Sequence, residues 1–269
     1  MVIIGEKINS SRKRVEEALK KRDSSYLISL AQKQKEAGAD FIDVNCGTLF
    51  GEEKECMEWL VKTIQETMEV SLCIDSPSPE VLETGFQLHK GKAFLNSITG
   101  EKERIEKILP VIKKFHPFII VLCMDEKGTP AEAQGRVEIA RKVTEILTSH
   151  GVKEEDIFFD PIIRPISTES DAGRVALETI SKIKEEIPGV KTVCGLSNIS
   201  YGLPLRSLLN ATFLAMAMSK GLDSAILDPT EPRIQDVLCA GGALRGEDAY
   251  CLNYISAFRD GKLGKQWKK

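Results

Sequence analysis

Eight short apolar runs recur along the 269-residue chain, and most end in a polar or charged residue. Val2-Ile3-Ile4-Gly5 leads into Glu6, Lys7 and Asn9; Phe41-Ile42 into Asp43 and Asn45; Leu72-Cys73-Ile74 into Asp75; Ala93-Phe94-Leu95 into Asn96. Phe118 to Cys123 is followed by Met124-Asp125, Ile157-Phe158-Phe159 by Asp160, Val193 to Leu196 by Ser197-Asn198, and Ala225-Ile226-Leu227 by Asp228. Parallel strands buried on both faces read as continuous apolar runs. Eight of them alternating with helical segments predict an α/β chain folded as a single (β/α)8 TIM barrel, for which 269 residues are an ordinary length. Polar residues at the strand ends would then share one rim, the face on which such barrels carry their chemistry.

The segments between the runs have helical periodicity. Cys56, Met57, Leu60, Val61, Ile64 and Met68 mark one face; Val137, Ala140, Val143 and Leu147 mark another, as do Leu177, Ile180, Ile183 and Ile187. Gly38, Gly151 and Gly221 stand where helices should stop, and Pro188-Gly189 does so before the seventh strand. Pro110 is expected to kink or divide the helix after the fourth strand. Asp248 to Phe258 reads as one short extra C-terminal helix packed on the barrel, and Gly261 to Lys269, with Lys262, Lys265, Lys268 and Lys269, as a solvated tail. No linker or second core interrupts the pattern, so residues 1–269 are expected to form one domain. Two connections, from Asp125 to Pro130 and from Pro161 to Gly173, are longer than a βα turn requires and should lie on the rim.

The net charge of −3 and pI near 5.8 argue against a nucleic-acid surface. No apolar run approaches a membrane span, and the N-terminus enters a strand without the features of a secretory signal. The seven cysteines include no C-x-x-C pair and read as reduced, mostly buried thiols of a cytoplasmic protein. There is no phosphate-cradling glycine loop. His89, His116 and His150 all fall near predicted helix ends away from the rim, where a protonated ring would complement the helix dipole. A histidine-based triad or metal site is not expected.

What remains on the rim is a ring of carboxylates and carboxamides: Asp43, Asn45, Asp75, Asn96, Asp160 and Asn198. Such a set suits a neutral heterocycle rich in hydrogen-bonding groups, because a carboxylate accepts two parallel N–H bonds and an asparagine donates and accepts. A divalent metal is the competing reading of clustered acids. Glu6, Asn9, Met124 and Arg206 complete the candidate substrate-binding set.

The strings G-E-K-I-N (Gly5 to Asn9), D-V-N (Asp43 to Asn45), C-I-D-S (Cys73 to Ser76), L-N-S (Leu95 to Ser97), D-P (Asp160-Pro161), G-L-S-N (Gly195 to Asn198) and T-F-L-A-M-A-M (Thr212 to Met218) occur in this order. Together they resemble the pterin-binding barrels, and more closely the methyltetrahydrofolate:corrinoid protein methyltransferases. The resemblance implies that Asp75, Asn96 and Asp160 hold the pterin edge, with Asn198 near N5, the methyl-bearing nitrogen. It implies catalytic roles for Asn198, Asp75 and Asp160, tetrahydrofolate or methyltetrahydrofolate as substrate, a corrinoid (cobalamin) on a separate protein, no directly bound metal, and a homodimer. Lys7 stands where that family usually has arginine, losing a bidentate fork. Dihydropteroate synthase shares the gripping aspartates, but its usual S-R-K string and the glycine of its D-P-G turn are absent here. A dihydropteroate synthase-like enzyme and a non-catalytic pterin-binding module are the alternative readings. No D-x-H-x-x-G string of corrinoid-binding domains occurs, so the carrier is expected to be another chain. The helix after strand seven carries Leu208, Leu209, Phe213, Leu214, Met216 and Met218, more apolar surface than one stripe needs, which is where a dimer contact is expected.

Overall fold

The computed structural model describes residues 1–264 and contains eight parallel strands closed into a barrel in sequence order, the eighth pairing back with the first. The strands are β1 (Val2–Asn9), β2 (Phe41–Asn45), β3 (Ser71–Asp75), β4 (Phe94–Thr99), β5 (Phe118–Leu122), β6 (Ile157–Asp160), β7 (Lys191–Gly195) and β8 (Ser224–Leu227). Helices α1 (Lys13–Lys20) and α2 (Ser24–Glu36) follow β1. One helix follows each later strand: α3 (Glu53–Thr67), α4 (Pro79–Leu88), α5 (Lys102–Phe115), α6 (Ala133–Ser149), α7 (Ala172–Glu186), α8 (Arg206–Ser219) and α9 (Pro232–Leu244). A last helix, α10 (Leu252–Arg259), packs on α9.

Side chains alternate between the two faces of a strand. Ile42, Val44, Leu72, Ile74, Leu95, Val121 and Phe159 belong to the layer shared with the helices. The opposite parity supplies a separate buried cluster of Ile4, Cys73, Phe94, Ile120, Phe158 and Val193, with Phe41 and Phe118 packed against it. Phe94 lies at its centre, with ring centroids 4.7 Å from Phe41, 4.8 Å from Phe158 and 4.9 Å from Phe118. Each such ring contributes roughly 1.5–3 kcal/mol by leaving water. At the N-terminal ends of the strands, Lys92 and Lys191 hold ammonium groups 4.3 and 5.1 Å from the Phe118 and Phe158 rings. The barrel is thus plugged from below. Two residues further along each strand, on the same face, stand Glu6, Asp43, Asp75, Asn96 and Asp160. The strand periodicity that builds the plug therefore also places the acids above it.

Several expectations need correction. Pro110 does not divide its helix: α5 runs through it from Lys102 to Phe115. The helix loses one backbone donor there, but Ile105, Ile108, Val111 and Ile112 bury its inner face, and that packing outweighs a cost of about 3 kcal/mol. The C-terminal segment is not one helix. Ala249–Cys251 forms a 3-10 turn in which Tyr250 and Cys251 adopt φ of 54° and 56°, and α10 starts only at Leu252. Lys265, Lys268 and Lys269 of the expected tail lie outside the described residues. All three histidines cap helix C-termini as expected. His89, however, is not a protonated cap: its Nε2 accepts the Leu72 N–H at 3.0 Å, and burial lowers its pKa. All seven cysteines are unpaired, five of them buried. No helix among the described residues is long and apolar enough to cross a membrane.

The rim between β4 and β5 depends on a close approach. Gly100 N–H donates to the Met124 carbonyl at 2.7 Å, and a Cβ there would lie 2.9 Å from that oxygen and 2.8 Å from Ile139 Cγ2. Gly100→Ala should destabilise the fold by about 1–3 kcal/mol through overpacking. Urea denaturation followed by circular dichroism is the measurement, and an unchanged midpoint would show that the backbone yields freely.

Candidate active site

The acids above the plug are neighbours by register. Asn45 pairs with Asp75 across β2 and β3, Asp75 with Asn96 across β3 and β4, and Leu122 with Asp160 across β5 and β6. Asn45 Nδ2 donates to Asp75 Oδ2 at 2.8 Å, while its Oδ1 accepts from Ser10 Oγ and Gly47 N–H, both at 3.0 Å. Asn45 therefore orients Asp75 instead of facing a ligand with both ends free. Asp75 Oδ1 accepts no hydrogen bond from the described residues. Asn96 Nδ2 donates to Asp43 Oδ1 at 3.2 Å, and its side-chain Oδ1 accepts no hydrogen bond from the described residues.

Asp160 is held differently. Its Oδ1 accepts the N–H of Ile162, the residue after Pro161, at 2.7 Å. Ile162 takes a φ of 60°, a left-handed conformation that costs a β-branched residue on the order of 1–3 kcal/mol. Isoleucine thus stands in a conformation that usually favours glycine, which its side chain gives no local reason to expect. Arg136 closes the turn from outside: its guanidinium, 1% exposed, donates to the carbonyls of Pro130, Pro161 and Ile162 at 2.9, 2.6 and 3.2 Å. It ties the two long rim connections together. Sequence reasoning missed it, because an arginine in the first turn of an amphipathic helix looks like a solvated one. Arg104, at the start of α5, likewise donates to the Ser97 and Pro77 carbonyls and went unnoticed for the same reason.

Across the mouth, Glu6 accepts from Ser197 Oγ at 2.9 and 2.8 Å and from Arg12 at 3.0 Å, linking β1 to the 3-10 turn Leu196–Ser200 after β7. Arg206, the first residue of α8, donates to the Ser197 carbonyl at 2.6 Å and to Ser200 Oγ at 3.0 Å. Both contacts fix the turn that carries Asn198. The Asn198 side chain itself is exposed, engages no described residue, and lies over Gly195, where a Cβ would come within 3.2 Å of its Nδ2. Asn198 thus stands exposed after β7, apart from the buried acids. Met124 is half-buried on the rim; Asn9 Oδ1 accepts the Ser11 N–H at 3.0 Å in a local turn. Lys7 pairs with Asp228 at 2.5 Å, which gives that lysine a structural partner.

Burial dominates the electrostatics. It pushes Asp75 up to about 6, opposed by the Asn45 hydrogen bond. It pushes Asp160 up to about 6, opposed by the backbone N–H groups of Ile162 and Gly195. Asp43 is raised well above the carboxylate range by burial and by the neighbouring Asp75 charge, and Glu6 is raised by burial. Carboxylates this short of water gain from ligand N–H donors aimed at them. Among the described residues no group of three or more His, Cys, Asp or Glu side chains converges as a metal-binding set.

Residues 5–228 match the family model described as pterin binding enzyme. Over 266 residues the chain is 36% identical to a methylcorrinoid:tetrahydrofolate methyltransferase of Eubacterium limosum, the alignment covering 98% of each. It is 30% identical over 241 residues to a methionine synthase of Mycobacterium tuberculosis, covering 84% of this chain but only 20% of that much longer one. Among solved structures, a sulfonamide-bound dihydropteroate synthase of Yersinia pestis superposes with a TM-score of 0.71 at 13% identity, over 91% of this chain and 94% of that one. One from Xanthomonas albilineans gives 0.72 at 13% identity, over 92% and 93%. Those two likenesses establish the shared barrel.

The raised aspartates predict how ligand-free stability depends on pH. A carboxyl whose folded pKa is about 6 against 3.8 unfolded contributes stability that is fully present below 3.8 and lost as pH rises through 6. Asp75→Asn should therefore raise the thermal midpoint at pH 8, by an effect on the order of 1–3 kcal/mol, with the difference closing toward pH 4. Thermal melts of both proteins across that range test it, and a variant less stable at pH 8 would show that Asp75 is not penalised by burial.

Proposed function

The chain belongs to the pterin-binding enzyme family, and from that premise we propose that it is a methyltransferase moving a methyl group between N5 of tetrahydrofolate and the cobalt of a corrinoid carried by a separate protein. The observation that carries this is the end-to-end likeness to the Eubacterium limosum methyltransferase, whose name states both halves of the reaction. The site chemistry supports it. Asp75, Asn96 and Asp160 grip the pyrimidine edge of the pterin, with Asp43 and Asn45 behind them as orienting groups. Asn198, with its carboxamide unspent, stands at N5.

A methyl on a tertiary amine is a poor electrophile, because the departing nitrogen is too basic. A hydrogen bond from Asn198 Nδ2 to N5 eases its departure as charge builds there. Asp75 and Asp160, with pKa values of about 6, hold or release a proton near neutrality and pass it through water. In the opposite direction N5 is the nucleophile, and the same residues chiefly orient it. The corrinoid, on its own protein, supplies the metal that accepts or gives the methyl group. One site serves both directions by microscopic reversibility. Hydrogen bonds, not a directly bound metal, hold the folate in this reading. A dihydropteroate synthase-like activity is disfavoured by Ile162 in place of the turn glycine and by Ser197-Asn198 after β7. A non-catalytic pterin-binding module would bind folate without transferring the methyl.

The proposal treats residues 1–269 as one pterin-binding domain working in the cytoplasm as a homodimer. Phe213, Leu214 and Met218 of α8 are buried within the chain, Met218 against Gly241 of α9, but Leu208 and Met216 are 44% and 48% exposed. Leu209, Phe213 and Met216 also line an open 640 Å³ groove between α7 and α8. Burial against α9, not under the last helix, thus accounts for only part of the apolar surface of α8, and a second copy accounts for the rest. Light scattering at micromolar concentration should give twice the chain mass; a monomeric mass would end this reading.

Asn198→Ala should slow single-turnover transfer to reduced cobalamin by up to about 10²–10³, because its hydrogen bond strengthens toward the transition state. Folate binding should fall far less. Asp160→Ala should do the reverse, weakening binding about tenfold or more for roughly 1–3 kcal/mol of lost pairing. Equal losses of rate and binding in the Asn198 variant would make it an ordinary pterin contact.

A further inference from the structure

Asn45, which orients Asp75, is the last residue of β2, and Cys46 follows it directly. The Cys46 side chain is buried, and so is that of Cys56 in the first turn of α3. The two thiols hydrogen-bond to each other beneath the loop that joins strand to helix. That loop is anchored at both ends: Leu49 N–H donates to the Cys46 carbonyl at 3.0 Å, and Cys56 N–H to the Glu52 carbonyl at 2.9 Å.

Arg22, in the turn between α1 and α2, reaches the same pair. Its guanidinium lies 5.0 Å from the centre of the Trp59 ring and hydrogen-bonds to Cys56. Its Nη1, however, is buried with no hydrogen-bond partner among the described residues. A buried N–H left unpaired costs free energy, and a thiolate is a far better acceptor for it than a thiol. The two sulfurs differ accordingly. The hydrogen bond from Cys46 and the Arg22 charge hold the Cys56 thiol below its usual range, against burial and Glu52. The bond to Cys56 and burial push the Cys46 thiol up. One sulfur is therefore the nucleophile, and the other keeps its proton as the resolving thiol.

We propose that Cys46 and Cys56 form a reversible dithiol–disulfide switch, closed by hydrogen peroxide, that loosens the hold of Asn45 on Asp75. The Cys56 thiolate attacks one peroxide oxygen; the O–O bond breaks, hydroxide leaves, and Cys56 becomes a sulfenic acid. The Cys46 sulfur then attacks that of Cys56. Its proton and the sulfenic hydroxyl depart as water, and the S–S bond forms. Two electrons pass from the sulfurs to the peroxide, and a thiol reductant reverses the change. Burial of both sulfurs selects an oxidant this small. A covalent link draws the sulfurs closer than a hydrogen bond does. Cys46 must then shift, and with it its neighbours Asn45 and Gly47, whose mutual hydrogen bond at 3.0 Å aims the Asn45 carboxamide at Asp75. The effect on folate rests on the pterin reading; the disulfide itself does not.

The test uses the full chain with Cys239→Ser and Cys251→Ser, which removes the two cysteines that are not buried. After peroxide treatment, free thiols are alkylated in denaturant and the protein is digested with trypsin. Cleavage after Lys54 separates the two cysteines, so closure gives a linked pair of peptides that dithiothreitol undoes. Arg22→Gln should slow closure by about tenfold or more through loss of thiolate, and Arg22→Lys should recover much of the rate, with circular dichroism checking the fold. Calorimetry then compares methyltetrahydrofolate binding in the two states. The closed form should bind about tenfold or more weakly, and peroxide should leave the affinity of the Cys56→Ser variant unchanged. Failure of the link to form, or equal affinity in the open and closed forms, would overturn the switch. If the reduced protein binds no folate, the pterin reading has failed, and the mapped link alone decides whether the thiol pair closes.

Discussion

Carboxylates set directly above a floor of phenylalanine rings are the constraint on which this molecule turns. The rings around Phe94 exclude water from below, and the same strand parity lifts Asp43, Asp75 and Asp160 only two residues higher. Without that floor the acids would sit in a wet mouth with ordinary pKa values and little appetite for a ligand. With it, burial raises Asp75 and Asp160 to about 6, so the site carries a standing penalty that N–H donors aimed at these acids would remove. Stability and recognition are opposed here, as is common where a fold holds polar groups for use.

The supports around these acids are mostly uncharged and local to the rim. Asn45 is spent on Asp75, Ser10 and Gly47; Asn96 is half spent on Asp43; backbone N–H groups hold Asp160. Each orients an oxygen without neutralising it, so the acid stays available. The Asn198 side is built in the opposite way. Glu6, Ser197 and Arg206 brace the backbone of the turn, and the Asn198 carboxamide is left alone.

Strand positions and the acids of the site were legible because period-two alternation is a local property. Ile4 and Glu6, Cys73 and Asp75, and Phe158 and Asp160 share a face wherever the strand is placed. What was not legible depends on contacts distant in sequence. Glu6 meets Ser197 across 191 residues, and nothing near either one announces it. Arg136 reads as a surface residue until two loops fold over it. The charge of His89 was misjudged because its helix-end position is local, whereas the Leu72 N–H that makes it an acceptor comes from a neighbouring strand. Pro110 was expected to kink or divide its helix on local propensity, and tertiary packing on four buried apolar residues keeps the helix continuous through it.

Arg136 also bears on how the mouth can move. The two long rim connections are not independent flaps, because one buried guanidinium holds the carbonyl of Pro130 on the first and those of Pro161 and Ile162 on the second. Lifting either loop alone would take from this guanidinium part of its hydrogen bonding while the other loop still held it, at a cost of about 1.5–3 kcal/mol for each bond lost. The loops are latched as a pair, so the mouth has one opening coordinate. Entry to the mouth would then be governed by a single cooperative event.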